Sequence, residues 1–189
     1  VPVNLWLPVF VDDDVEPRSG TAVVERMLCL TLIAARAEGL ERPRTIEVLT
    51  EFGLLPAITP NEKQFLDQEA PTEHQRAQFV WKYECAWALQ WALGIVPVLG
   101  DCRSICQADQ VSRNALAVGK NFQATPVGKE QILDAGDMLY RMHWACRDAQ
   151  LNGKPVVVGL EPGVVWERRR AIQWLLEPDV DWDDLSLDT

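Results

Sequence analysis

The sequence predicts an all-α protein, one compact domain over residues 1–189 with about seven helices around a central tryptophan-rich helix. Three observations carry this. Residues 81 to 94 hold three tryptophans and a single carboxylate, Glu84, among mostly apolar or small neighbours, and a segment apolar on nearly every face belongs inside a bundle. Elsewhere apolar residues recur at helical spacing between glycine and proline stops. Strand patterns are few.

The elements follow in order. Residues 1–18 read as an extended N-terminal segment, in which Asp12-Asp13-Asp14 with Glu16 and Pro17 forms a solvated turn, and Ser19 or Thr21 caps the first helix. That helix runs from about Thr21 to Glu38, with Val24, Leu28, Thr31, Leu32 and Ala35 at helical spacing and Gly39 as its stop. A shorter helix opens near Pro43, carries Ile46, Leu49 and Phe52, and ends at Gly53. Thr59-Pro60-Asn61-Glu62 is a capping-box sequence, and Phe65 and Leu66 form the inner face of the helix it starts. Thr72 with Gln75 offers a second box, starting the tryptophan helix that Gly94 ends. After a proline and glycine connection, Ser104 to Val118 is a weaker helix closed by Gly119. Lys129 to Leu151 is a long one, with Ile132, Leu133, Leu139, Tyr140, His143 and Cys146 inward and Asn152-Gly153 as its end. Val156-Val157-Val158 is too short to assign. Pro162 opens the helix that runs through Leu176 and stops at Pro178. Residues 178–189 form an acidic tail.

Composition narrows the function classes. At 189 residues, 48% hydrophobic and 24% charged, the chain is long enough to bury roughly 70% of its unfolded surface without staples. A net charge of -10 disfavours nucleic acid and anionic membrane and is compatible with a basic protein partner. Five cysteines with no framework spacing fit reduced thiols in a cytoplasmic protein. The run Val1 to Val11 contains Pro2 and Pro8 and lacks a basic leader, so it reads as neither signal peptide nor membrane span.

Several separate motifs carry a family resemblance. Trp81-Lys-Tyr-Glu-Cys-Ala-Trp87 with Leu89-Gln-Trp-Ala-Leu-Gly94, Ile132-Leu-Asp-Ala-Gly-Asp137, Tyr140-Arg-Met-His-Trp-Ala145, Val164-Val-Trp-Glu-Arg168 and Trp182-Asp-Asp184 with Asp188-Thr189 resemble, in order and spacing, the bacterial domain-of-unknown-function family numbered 4272. The resemblance runs from about Pro8 to Thr189. It implies a fold and no chemistry.

The candidate polar network or ligand site comprises Glu84, Asp137, Arg141, His143, Glu167 and Arg168. A buried Glu84 needs a cation, since an unpaired charge inside costs several kcal/mol. Arg141, four residues after Asp137, is a natural partner because its fork can hold two carboxylates; Arg168 competes for the same role. A structural ion-pair network is favoured over a pocket, because nothing nucleophilic is nearby. His143 reads as a satisfied core histidine. Cys102, Cys106, His143 and Cys146 are residue types that zinc prefers, yet no paired C-x-x-C knuckle exists, so no metal and no cofactor is expected. Phosphate-binding glycine loops and a G-x-S-x-G elbow are missing. Members of the basic run Arg168-Arg169-Arg170 point in different directions on a helix, which suits a solvated or ion-paired face better than a phosphate clamp.

The tail holds Asp179, Asp181, Asp183, Asp184 and Asp188, five of the ten net negative charges. It is expected to be anchored by Trp182 and Leu185; Trp182, Asp183, Asp184 and Asp188 are the candidate partner-binding residues if it is instead an acidic lip. Two functions remain: a non-enzymatic interaction protein of the immunity or antitoxin kind with a basic partner, and an enzyme or small-molecule binder built around Glu84, Asp137, Arg141 and His143.

Overall fold

The computed structural model describes residues 15–18, 20–118, 125–156 and 159–188. The expectations for Val1 to Val11, Asp12 to Asp14, Ser19, Gly119, Val157-Val158 and Thr189 lie outside them. The fold is all-α: among the described residues there are eight α-helices, a short 3-10 turn at Leu55–Ala57, and no strand. The helices are α1 (Thr21–Glu38), α2 (Arg42–Glu51), α3 (Pro60–Leu66), α4 (Glu73–Val80), α5 (Lys82–Ala92), α6 (Ala108–Val118), α7 (Lys129–Leu151) and α8 (Pro162–Leu176).

Local chemistry sets the boundaries. Both capping boxes form: the Glu62 amide donates to the Thr59 hydroxyl at 3.2 Å and the Thr59 amide to Glu62 Oε2 at 3.0 Å, with the same exchange between Thr72 and Gln75. At α1 the capping residue is Gly20, with Thr21 the first helical residue rather than the cap. The tryptophan helix is two segments, because at Trp81 the chain tightens to a three-residue bond, Glu84 amide to Trp81 carbonyl at 3.0 Å. Helix α6 starts at Ala108 instead of Ser104, since the Cys106 amide is drawn to Glu84. Gly94 stops α5 with φ +73°, and a Cβ there would stand 2.2 Å from the Thr125 carbonyl oxygen, so only glycine fits.

Helices α7, α8, α5 and α1 pack one against the next in that order, with α2, α4 and α6 also on α1. One continuous apolar cluster runs through them, from Met27, Leu30 and Ile33 on α1 through Leu89 on α5 to Ile172 and Leu175 on α8 and Leu139 on α7. Helix α1 is buried well beyond its expected stripe, while Leu32 and Ala35 within that stripe are only half-buried. No helix among the described residues is long and apolar enough to cross a membrane.

Candidate functional site

Glu84 lies in the first turn of α5 at 2% exposure, and both its oxygens are engaged. Arg168 Nε donates to Oε2 at 2.9 Å; the Cys106 amide donates to Oε1 at 2.5 Å. Arg168 also donates through Nη1 to the carbonyls of Leu99 at 2.9 Å and Asp101 at 3.0 Å. Two residues earlier on α5, Lys82 meets both oxygens of Glu167 at 2.7 and 3.0 Å, and the Cys85 thiol donates to the same carboxylate at 3.0 Å. Two charge pairs therefore stitch α5 to α8, and the Leu99–Cys106 connection is fastened to the upper one.

Arg141 is not the cation at Glu84. Helix α7 packs on α8, and Arg168 on α8, the helix packed directly against α5, takes the position. Asp137 and Arg141 pair with each other at 2.7 Å, about two-fifths exposed, where such a pair contributes a few tenths of a kcal/mol. Arg141→Ala is accordingly expected to leave the urea midpoint almost unchanged, and a large shift would show that the pair has a buried role.

His143 belongs to a third group. It is buried at 3% exposure, its Nδ1 faces Arg169 Nη1 in a short hydrogen bond, and its ring meets Trp166 edge-on with centroids 4.7 Å apart. With Nδ1 accepting from the guanidinium, the proton sits on Nε2, which finds no partner among the described residues. Burial first, then Arg169 and Arg147, pushes the imidazole down to about 4. The unfolded chain takes up that proton near pH 6.5, the folded one only near 4. Stability from this group is thus complete above pH 6.5 and falls as the pH drops toward 4, by up to about 3 kcal/mol. Urea unfolding from pH 7 to 4.5 should show that loss, and His143→Gln should flatten it; an equal slope in the variant would overturn the assignment.

The same Arg169 holds the tail. Its Nη1 and Nη2 donate to the carbonyls of Leu187 at 3.2 Å and Asp188 at 2.9 Å, and Gln173 one turn on donates to Ser186 at 2.7 Å. Trp182, Leu185 and Leu187 are buried, so the tail is anchored, while Asp179, Asp181, Asp184 and Asp188 remain exposed. Trp182 packs edge-on to Trp174 at 5.6 Å and under the Arg26 guanidinium at 5.3 Å.

No thiol is poised as a nucleophile. Each of Cys29, Cys85, Cys102, Cys106 and Cys146 is pushed up from its ordinary value chiefly by burial, Cys102 to about 11 and Cys29 to about 12. Among the described residues no three His, Cys, Asp or Glu side chains are placed to hold a metal ion, so Cys102, Cys106, His143 and Cys146 do not assemble as one cluster.

Some polar residues escape a sequence reading. Arg26 and Glu62 form a buried pair between α1 and α3 at 2.5 Å; the capping box flags Glu62, but nothing local flags its cation. Lys82 lies in the tryptophan motif, but nothing in its local sequence marks it as the partner of Glu167. A polar cleft of about 480 Å³ opens beside that pair, walled by α3, α4, the start of α5, α8 and the tail, and it admits Arg170 and Asp183.

A family model described as a domain of unknown function (DUF4272) matches residues 1–185. Comparison with curated proteins gave no match, and comparison with solved structures gave none.

Proposed function

The chain belongs to the DUF4272 family, and from that premise we propose that it is a non-enzymatic interaction protein that recognises a basic partner. One observation carries the reading: the side chains best suited to chemistry are consumed by the architecture. Glu84 has a partner on each oxygen, Glu167 is held by Lys82 and Cys85, and His143 accepts from Arg169. Recognition then falls to the surface, where a net charge of -10 favours a cationic partner and raises its on-rate.

The anchored tail suits this role. Its buried residues, Trp182, Leu185 and Leu187, fix a ledge on which exposed aspartates are displayed without the ordering cost of a loose tail. A role of the immunity or antitoxin kind would place a basic partner against this ledge. The test is capture from the native lysate at low salt, by the intact chain and by an Asp179→Asn, Asp181→Asn, Asp184→Asn variant. A stoichiometric basic protein held by the first and lost by the second supports the proposal. No basic protein, or equal recovery by both, sinks it.

A further inference from the structure

We propose that the polar cleft between α3, α4, α8 and the tail binds a small zwitterion of the amino-acid type, its carboxylate on Arg170 and its ammonium on Asp183. The charges in the cleft wall lead there. Glu62 is neutralised from behind by Arg26, which reaches both of its oxygens at 2.5 and 2.6 Å. Glu167 is neutralised by Lys82, again through both oxygens. That leaves one cation and one anion.

Arg170 makes no hydrogen bond and no ion pair with any described residue, although its Nε is buried. Glu167 lies three residues before it on the same helix, but that carboxylate is already held by Lys82 and makes no ion pair with Arg170. A guanidinium fork without a partner, opening on a cleft, is matched by a carboxylate in bidentate geometry. Asp183 accepts at Oδ2 from the Asn61 amide at 3.0 Å and contacts no cation among the described residues. Arg170 and Asp183 are not within ion-pair distance of each other, so neither cancels the other. A simple anion would leave Asp183 unmatched, and a simple cation would leave Arg170 so; a ligand with both poles satisfies the two at once.

The remainder of the wall fits the body of such a ligand. The carboxamides of Gln64, Gln68 and Gln78 carry no hydrogen bond to another described side chain or backbone group, and each offers a donor and an acceptor, the complement of a peptide group. The apolar wall is built from Phe79, stacked on Phe65 at 4.1 Å, and Trp81, whose indole lies on Gly163 where a Cβ would come within 2.6 Å. The glycine at 163 thus leaves the room that the ring occupies. A volume of about 480 Å³ is within the range of about 300–1,000 Å³ for small-molecule sites. The proposal is independent of the tail-mediated partner reading, since a chain without a protein partner can still hold such a ligand.

Calorimetric titration of the intact chain separates the sources of this chemistry. One arm uses single free amino acids, the other dipeptides, and each ligand that binds is then compared with its C-terminal amide and its N-acetyl form. At least one zwitterion should bind, and loss of either pole should weaken binding about tenfold or more. Arg170→Gln should erase the difference between acid and amide, and Asp183→Asn the difference between amine and acetylated amine, in variants whose melting curves match the parent. The ligand series on the parent chain tests the two-pole requirement even where a variant fails to fold. Absence of binding by any zwitterion at millimolar concentration, or amide and acetyl forms that bind as tightly as the parent zwitterion, would overturn the proposal.

Discussion

Glu84→Ala is expected to lower the unfolding free energy by about 3–5 kcal/mol, the cost of leaving one member of a buried ion pair alone. Both side chains are only 3% exposed, so water cannot replace the lost carboxylate. The Cys106 amide loses its acceptor in the same step, and an unsatisfied buried donor adds about 1–3 kcal/mol of its own where the site fails to relax. Urea unfolding followed by tryptophan fluorescence measures the change. Replacing both partners with methionine should recover most of it, because well-packed apolar residues of similar volume commonly match a buried pair. A loss below about 1 kcal/mol for the single change would mean that Arg168 finds another anion, and the locking role assigned to this pair would fall.

Trp182→Ala should cost about 3–5 kcal/mol, as truncations of buried tryptophans do. The indole is 5% exposed, meets Trp174 on its edge and covers Arg26, whose pairing with Glu62 is among the driest contacts in the molecule. Its removal opens a cavity and wets that pair together. Thermal and urea melts should both shift. An unchanged melting temperature would mean that the tail is not an integral wall of the core.

Much of the fold is legible in the sequence because its stop signals are chemical. Pro162 and Pro178 bracket α8, Thr59 and Thr72 cap their helices through Glu62 and Gln75, and Lys129 to Leu151 keeps its apolar spacing over the whole of α7. The site was legible only in part. Burial of Glu84 follows from its apolar neighbours, but the identity of its cation depends on which helix lies next to α5, and spacing within α7 carries no record of that. Asp137 and Arg141 are read as a pair because they are four residues apart; Arg168 and Glu84 are separated by 84 residues. The three consecutive arginines show the same limit. Helical geometry sends them apart, yet only the packing shows that Arg168 meets Glu84, Arg169 meets His143 and the tail, and Arg170 faces the cleft.

The pairing of α5 with α8 also bears on how the chain is made. Lys82 and Glu84 leave the ribosome long before Glu167 and Arg168 do, with 84 or 85 residues between partners. During that interval α5 cannot enter a dry core without stranding its charges, so its tryptophans stay in contact with water or with a holding chaperone. Nascent chains halted before residue 167 should therefore remain protease-sensitive in α5, and those that include the tail should not.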